Sequence, residues 1–236
     1  MSDVVVPSAQ ASGGERLTKG QRTQRRILDA ALELFQEHGY EGTTMRLIAA
    51  RAGVSLGNSY QYFPSKDHLV QAFYRRLSEE HIALCRPVLD SERDLRTRLH
   101  EVTRRRLESI EPYHRLSGAL FRVAADPASP INPFSDDSRP LRQESVALMA
   151  EVVSGSAQRL PRDVAAELPR LLWLFHMGLI LFWVHDTSPQ RRRTRRLAED
   201  SVDLVMSLLS MATLPLMRRH RRRVLALIAT VAAADG

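Results

Sequence analysis

The chain of 236 residues is long enough for one large domain or two small ones with a hydrophobic core. Its 44% hydrophobic and 26% charged residues are typical of a soluble globular protein, and its one cysteine, Cys85, excludes a disulfide framework and a cysteine-based zinc site. The net charge of +7 permits a polyanionic partner without requiring one.

The N-terminal residues show no basic stretch followed by an apolar run, so no secretory signal is expected. The longest uncharged apolar run, Leu171–Val184, covers 14 residues, whereas a bilayer requires about 20. A cytoplasmic protein with no membrane partner is therefore predicted. Residues 1–17 lack periodicity and are rich in small residues, which predicts a disordered arm.

Apolar residues recur at helical spacing from Ile27 to Phe35 and predict a first helix. Thr18 and Gln21 fit the capping box that begins such a helix, and Gly39 can adopt the left-handed conformation that ends it. A long amphipathic helix is therefore expected to follow the arm.

Three further helices are predicted before residue 90. A threonine, Thr43 or Thr44, caps the second helix. Ser55 caps the third helix and Ser65 caps the fourth. Pro87 is expected to stop the fourth helix or to lie just beyond its end.

The rest of the chain also has helical periodicity, without strand-like alternation, a glycine-rich phosphate loop or an internal repeat. Residues 126–137 contain three prolines and are predicted to form a loop. The fold class predicted is all-α. The later predicted helices cover 95–107, 113–125, 141–153, 162–185 and 190–211, and a last segment covers 216–232.

Residues 44–63, TMRLIAARAGVSLGNSYQYF, have the pattern of a helix-turn-helix, in which two short helices flank a turn that contains glycine. Gly53 supplies the backbone freedom that the turn requires. The second helix of such a unit enters the major groove with its N-terminal residues leading. Asn58 is the best base-reading candidate, because its amide can both donate to and accept from adenine.

The stretch from Arg22 to Tyr74 resembles the DNA-binding domain of the TetR/AcrR family of bacterial transcriptional regulators. The resemblance is carried by Gly-Tyr, Thr-Thr, Ile-Ala, Ala-Gly-Val-Ser, Tyr-x-Tyr-Phe and Ser-Lys in that order, and it covers about 50 residues. In two departures, Ser59 stands where the family usually has an inward-packing aliphatic residue, and Gln61 stands where histidine is common. From the motif and the resemblance together, the expected DNA-binding residues are Thr44, Arg46, Ser55, Gly57, Asn58, Ser59, Tyr60, Gln61, Tyr62 and Lys66.

The region around this motif carries little net charge, because residues 1–66 hold eight basic and six acidic side chains. A basic DNA-binding face therefore requires that the basic side chains lie together on one side. Arg22, Arg25, Arg26, Arg46 and Arg51 are the candidates. The first two, with the N-terminal arm, either reach the DNA backbone or an adjacent minor groove or form a solvated helix face.

The resemblance implies two domains, a three-helix DNA-binding domain over 18–66 and a helical ligand-binding and dimerisation domain over 67–236. A single helix-turn-helix is too small for operator specificity, so a homodimer that reads two half-sites is expected. The predicted eighth helix is apolar on all faces and must be buried on all of them. The family's usual four-helix dimer bundle implies an interface at Leu172, Phe175, Leu179, Phe182, Val202, Val205 and Leu209.

The family also places a small-molecule pocket in the second domain. Aromatic residues and methionine with a few polar groups suit a mostly apolar ligand, although plain core packing is the alternative for each of them. His176 is interpreted as a hydrogen-bonded core or interface histidine, so no metal and no cofactor are expected. The candidate pocket residues are Tyr113, His114, Phe121, Trp173, His176, Met177 and Trp183.

The predicted function is a ligand-responsive repressor that binds a near-palindromic double-stranded operator as a homodimer. A transcriptional activator and a ligand-independent regulator of the same fold are alternatives. An enzyme is a third alternative, against which the chain shows no nucleophile beside a base, no metal cluster and no cofactor loop.

Ten of the 34 basic residues lie in two arginine-rich runs, within 191–196 and 218–223. They predict either a solvated helix face or a second nucleic-acid patch. The apolar residues 224–228 behind them are expected to pack back on the domain. A membrane-surface protein with a basic amphipathic anchor is the remaining alternative.

Overall fold

The computed structural model describes residues 17–217, 219, 221 and 223, and every regular element within them is helical, which confirms the all-α fold class. The predicted arm over 1–17, apart from Leu17, and most of the predicted last segment over 216–232 lie outside the described residues. The helices are α1 (Lys19–Gly42), α2 (Met45–Arg51), α3 (Leu56–Tyr62), α4 (Lys66–Ser91), α5 (Leu95–Ile110), α6 (His114–Ala124), α7 (Arg139–Ser154), α8 (Arg162–His185) and α9 (Arg192–Ala212), with 3₁₀ turns at Glu111–Tyr113, Pro189–Arg191 and Pro215–Met217.

Side-chain caps begin α1 as the sequence predicts. The Thr18 hydroxyl oxygen accepts from the Gln21 N–H at 3.2 Å, and the Gln21 amide oxygen accepts from the Thr18 N–H at 2.8 Å. These two bonds satisfy backbone donors that the first turn of a helix leaves without partners.

The other end of α1 bends at Gly39, whose φ of +75° lies in the left-handed region. The predicted helix end corresponds to this bend, and a further turn continues to Gly42. The buried Thr43 hydroxyl lies 2.8 Å from the Gly39 carbonyl oxygen and 3.1 Å from that of Leu34, so it donates to this pair of carbonyls at the bend. Thr43 therefore stabilises the bend. The next residue, Thr44, caps α2 by accepting from the Leu47 N–H.

The prediction that Pro87 stops α4 is wrong, because the helix continues to Ser91. A proline inside a helix removes the hydrogen bond to the carbonyl four residues earlier, here that of Ala83. Ala83 and Pro87 are both exposed, so water can satisfy that carbonyl. The Ser91 hydroxyl donates to the Pro87 carbonyl at 2.9 Å and supports the last turn.

Two hydrophobic clusters form the core, and α4 belongs to both. Its first half packs with α1, α2, α6 and the end of α8 around residues such as Phe35 and Phe73. Its second half packs with α5, α7, α9 and the start of α8 around residues such as Cys85 and Val102. The predicted domain boundary between residues 66 and 67 therefore falls at the start of a shared helix rather than in a linker.

The ends of α4 and α7 meet at one buried side chain, Arg98 of α5, which is 1% exposed. Its guanidinium donates to the carbonyl oxygens of Leu89 and Glu92 at the end of α4 and of Glu151 and Val152 near the end of α7, at 2.6–2.8 Å. A side chain on Gly155 would collide with this guanidinium. Sequence periodicity does not reveal this contact, because an arginine among apolar residues is usually read as a solvated position.

Of the described helices, α8 alone is long and apolar enough, by length and composition, to cross a membrane. The core helix of a soluble protein meets the same criterion, and α8 packs against α6, α7 and α9. Its apolar composition is accounted for by these contacts and by one exposed apolar face described below.

Candidate nucleic-acid interface and regulatory core

The helix-turn-helix consists of α2 and α3, held on α1. Gly53 takes a φ of +64° in the turn, and the Val54 N–H donates to the Ala49 carbonyl at 3.0 Å. Ile48 is fully buried between the helices. The Ser55 hydroxyl accepts from the Asn58 N–H at 3.2 Å and fixes the start of α3. The N-terminal end of α3 is thus held rigidly at the surface.

Most of the predicted DNA-binding residues share this accessible surface. Asn58 is half-buried, and the exposed side chains include that of Leu47, which the sequence did not single out. The exposed predicted residues are Thr44, Arg46, Ser55, Gly57, Tyr60 and Gln61.

Ser59 does not belong to this surface, and its predicted contact with DNA is wrong. The residue is fully buried, and its hydroxyl donates to the Leu56 carbonyl at 2.7 Å inside α3. The side chain is therefore buried in the protein, in the place of the aliphatic residue that the family usually has, and its hydroxyl is satisfied inside α3.

Lys66 and Tyr62, at the two ends of the α3–α4 connection, are half-buried. The Tyr62 hydroxyl lies beside the start of α1, near Gly20. The Lys66 ammonium donates to the Tyr40 carbonyl at 2.7 Å and lies 4.2 Å from the centre of the Tyr40 ring. The Tyr40 hydroxyl donates to Asp67 at 2.5 Å, and burial together with this bond raises the pKa of Tyr40. Tyr40 therefore fixes Lys66 at the start of α4.

Several arginines near the interface are engaged within the protein. Arg51 lies within 3.1 Å of both Glu33 and Glu37, and its hydrogen bond lowers the pKa of Glu37. Arg22 donates to the Leu17 carbonyl. Arg46, on the exposed face of α2, has no hydrogen bond or ion pair with any residue that the structure describes, so its charge is available beside α3.

The predicted pocket residues do not form one site. Tyr113 packs edge-on against Phe73, with ring centres 4.9 Å apart. The His114 ring lies edge-on to Trp183, and its Nε2 donates to the Trp183 carbonyl at 2.9 Å. The Trp183 indole in turn donates to Glu111 at 3.1 Å. These side chains form a closed packed corner between α6 and α8.

The other pocket candidates lie apart from that corner. Phe121 contacts the His185 ring, and Met177 is half-buried. His176 is buried, and its Nε2 lies 2.9 Å from the Thr103 hydroxyl, as expected for a hydrogen-bonded core histidine. Trp173 borders a cavity of about 430 Å³ between α7 and α8, lined also by Arg139, Arg142, Gln143, Val146, Ala147, Ala150 and Arg170.

The predicted dimer-interface residues divide into two groups. Leu172, Leu179, Val202 and Leu209 are buried in the protomer core, so their assignment to the interface is wrong. The hydrophobicity of α8 on every face did not distinguish its core side from its outer side. Phe175 and Val205 are half-buried, and Phe182 is 42% exposed.

An apolar outer face lies on α8 and α9. Its large side chains are 37–59% exposed and recur at helical spacing on α9. Gly178 lies on the same side of α8, with open space where a Cβ would be. This outer face consists of Gly178, Leu181, Phe182, Leu197, Leu204, Leu208 and Met211.

Two family models match the chain. The one described as "Bacterial regulatory proteins, tetR family" matches residues 27–73, and the one described as "Tetracyclin repressor-like, C-terminal domain" matches residues 98–219. Together they cover the helix-turn-helix and the greater part of the helical domain.

Curated relatives match over part of their length. The HTH-type transcriptional repressor KstR of Mycolicibacterium smegmatis is 46% identical over 71 residues, which are 30% of this chain and 33% of KstR. KstR2 of Rhodococcus jostii is 32% identical over 108 residues, 46% of this chain and 50% of KstR2. The chain thus spans a third to a half of the length of these relatives.

A solved structure shares the fold over both domains. The putative TetR-family regulator from Syntrophomonas wolfei superposes with a TM-score of 0.65 at 20% identity, covering 79% of this chain and 96% of that one. The likeness extends the match beyond the helix-turn-helix to the arrangement of α4–α9.

Proposed function

This chain belongs to the TetR family of bacterial transcriptional regulators, and we propose that it represses transcription by binding operator DNA as a homodimer. One observation carries the proposal: the N-terminal end of α3, with Ser55, Gly57 and Asn58, stands rigid and accessible beside the available charge of Arg46. Asn58 reads a base edge, whereas Arg46, Gln61 and Tyr60 contact phosphates and fix the register.

The second copy is proposed to dock on the outer face of α8 and α9. Large apolar side chains side by side at the surface mark an interaction site. Pairing two copies of this face makes a bundle of four helices, and Gly178 lets the backbones of α8 approach each other. The dimer then sets the distance between the two α3 helices to one turn of DNA, about 34–36 Å.

The proposed response to a ligand runs through α4. This helix begins at Lys66, beside α3, and ends in the second hydrophobic cluster, so a shift in that cluster changes the position of the DNA-binding unit. A ligand that prefers a conformation with wrongly spaced α3 helices lowers DNA affinity by its coupling free energy.

Selection of bound DNA from a random pool, repeated at several salt concentrations, tests the proposal. We expect an inverted repeat with half-site centres about 10 base pairs apart or a multiple of that, and an affinity that falls steeply with salt. Asn58→Ala should relax the preference at one base pair in each half-site. Recovery of unrelated sequences, or of sites without symmetry, would contradict the proposed dimeric reading.

A further inference from the structure

The cavity between α7 and α8 is lined by arginines and apolar side chains, and no aspartate or glutamate is among the residues that line it. Its volume of about 430 Å³ lies in the range of small-molecule sites. The cavity opens at the surface, because Arg139, Gln143 and Ala147 are exposed, so a ligand can enter from solvent. We call this cavity the arginine cleft, with three cationic residues, Arg139, Arg142 and Arg170, and four apolar ones, Val146, Ala147, Ala150 and Trp173.

The charged and apolar residues that α7 contributes to the cleft follow one another along the helix. Arg139 and Arg142 lie in the first turn, and Val146 and Ala150 lie one and two turns beyond Arg142. At a rise of about 1.5 Å per residue, the helix axis advances by about 12 Å from Arg142 to Ala150. The cleft therefore suits a ligand with an anionic head at the start of α7 and an apolar body of about this length.

The apolar wall of the cleft is aromatic on its α8 side. Trp173 is buried, and the ring of Phe134, from the loop between α6 and α7, lies edge-on to it with ring centres 5.5 Å apart. Phe134 is 52% exposed, although an aromatic side chain gains free energy from burial. The exposed ring adjoins the wall of the cleft, so an apolar ligand body has further apolar surface to cover there.

Arg142 supplies the positive charge that is best placed for an anion. Its Nη1 donates to the carbonyl oxygens of Pro133 at 2.7 Å and Ser135 at 3.2 Å, which holds the half-buried side chain in position. Its Nε and Nη2 form no hydrogen bond with the described residues, and none of their carboxylates pairs with it. Arg139, by contrast, already pairs with Asp136. Since a planar guanidinium matches the two oxygens of a carboxylate, Arg142 is suited to bind one.

The loop between α6 and α7 connects the arginine cleft to α4. Arg142 holds this loop from the side of the cleft. From the other side, the Gln71 amide of α4 donates to the Pro130 carbonyl at 3.1 Å. The buried Ile131 belongs to the first hydrophobic cluster, as does Phe73 of α4. The loop therefore joins a charged residue of the cleft to the half of α4 that packs on the DNA-binding unit.

The helices on the two sides of the cleft also contribute to the second hydrophobic cluster. Leu148 and Met149 of α7 and Leu172 of α8 are buried there, next in sequence to residues that line the cleft. A ligand that changes the spacing of α7 and α8 therefore changes the packing of the cluster in which α4 ends.

We infer that the arginine cleft binds the effector of this regulator, and that the effector is an amphipathic carboxylic acid with an elongated apolar body. The carboxylate pairs with Arg142, and the body lies along α7 against Val146, Ala150 and Trp173. The inference rests on the proposed ligand-responsive function and adds the site and the chemical class of its ligand. Because the carboxylate shares Arg142 with the loop, binding alters the hold of the loop on α4.

Calorimetry on the full-length chain tests the inference with decanoate as the probe. Decylammonium, which has a chain of similar length and the opposite charge, and acetate, which has the head without the chain, are the matched controls. We expect decanoate to bind about tenfold or more tightly than either of them. Equal binding of decanoate and decylammonium would overturn the role of the arginines, and equal binding of decanoate and acetate would overturn that of the apolar wall. Absence of decanoate binding would overturn the site.

Tryptophan fluorescence locates the bound probe. The chain has two tryptophans, and Trp183 does not line the cleft but is buried, with its indole N–H donating to Glu111. Decanoate should shift the emission of the wild type and should leave that of Trp173→Phe, which keeps Trp183, unchanged. A shift that persists in Trp173→Phe would place the probe elsewhere.

Two variants separate binding from folding. Ala147→Phe fills the cleft from an exposed position of α7, so it should abolish decanoate binding and leave the Tm unchanged. Ala83→Phe, at an exposed position of α4 outside the cleft, is its control and should bind like the wild type. Arg142→Met should lower the Tm, because the loop loses two hydrogen bonds, and should abolish the preference for decanoate over decylammonium. Unchanged binding in Ala147→Phe would refute the site, and an unchanged preference in Arg142→Met would refute the role of Arg142.

Operator binding, measured in parallel, keeps this inference distinct from the proposed function. Decanoate should release the wild type from operator DNA and should not release Ala147→Phe. Failure of the wild type to bind DNA would refute the proposed function and leave the calorimetric result standing. Decanoate binding without any change in operator affinity would overturn the regulatory role of the cleft.

Discussion

Arg76 of α4 and Asp29 of α1 face each other across 2.7 Å, in an ion pair that joins the DNA-binding unit to the helix it shares with the regulatory domain. Arg76 is the more buried partner, and its Nε has no hydrogen bond. The pair is one of the contacts that link α4 to α1.

Asp29→Asn should weaken this connection. We expect a loss of about 0.5–1 kcal/mol in the free energy of unfolding, because Asp29 is half-exposed and the pair is partly screened. Urea denaturation measures it. Glu108→Gln is the control, since Glu108 pairs with Arg104 of its own helix at 2.7 Å, away from α1 and α4. Equal losses in the two variants would show that the ion pair between α1 and α4 contributes no more to the free energy of unfolding than an exposed pair within one helix.

Gly57→Ala should raise stability and lower DNA affinity. Nothing in the protein lies within 4 Å of a Cβ at this position, and alanine is favoured over glycine in a helix by up to about 1 kcal/mol. A methyl group there would meet the DNA backbone, at a cost of about tenfold in affinity. Thermal unfolding and DNA titration measure the two effects.

Gly118→Ala is the matched control for that experiment. Gly118 lies in α6 with equal open space, away from the proposed DNA surface. It should gain stability and keep full DNA affinity. If Gly57→Ala behaves in the same way, α3 does not approach DNA at residue 57.

Arg46→Ala should reduce the salt dependence of DNA binding by roughly 2 units of slope, one phosphate contact in each subunit. Arg51→Ala should leave the slope nearly unchanged, because Glu33 and Glu37 already neutralise that guanidinium. DNA affinity measured across a salt series gives both slopes. A larger effect at Arg51 than at Arg46 would place the phosphate contacts elsewhere.

Leu204→Glu should convert the dimer to a monomer, because it places a charge at the centre of the apolar outer face, where the leucine is 59% exposed. Light scattering after gel filtration measures the mass. Leu84→Glu, on α4 and 46% exposed, should leave the mass unchanged. A monomeric wild type would contradict the proposed dimer, and a dimer that persists in Leu204→Glu would show that Leu204 of α9 does not lie in the interface.

Arg98→Met should destabilise the regulatory domain by about 3 kcal/mol or more, because four carbonyl oxygens lose a charged donor. Arg96→Met breaks only an exposed pair with Asp203 and should cost less than about 1 kcal/mol. Denaturant unfolding compares the two. Similar losses would mean that water replaces Arg98 at those carbonyls.

Local signals explain why the helix-turn-helix could be predicted. A cap and its partner are three residues apart, so Thr18, Ser55 and Ser65 identify helix starts from the sequence alone. The family's inward-packing residue at the position of Ser59 already indicated burial, which the structure shows, but the polar side chain led to the wrong prediction of a DNA contact.

Contacts between distant residues could not be predicted in the same way. Tyr40 and Asp67 are 27 positions apart, and Arg98 reaches carbonyls 53 and 54 positions away. Periodicity reports that a face is apolar and does not report which neighbour covers it. The dimer face that the sequence predicted on α8 was therefore wrong in part, because Leu172 and Leu179 are buried in the protomer core.

The single guanidinium of Arg98 holds the C-terminal ends of α4 and α7 together, so those two ends cannot separate without breaking several charged hydrogen bonds at once. The far end of α4, at Lys66, is held by its hydrogen bond to Tyr40, by the ion pair to α1 and by the buried residues Leu69, Val70 and Phe73. A rigid turn of α4 about the end that Arg98 holds would therefore displace the residues near Lys66 further than those in the middle of the helix, in proportion to their distance from that end.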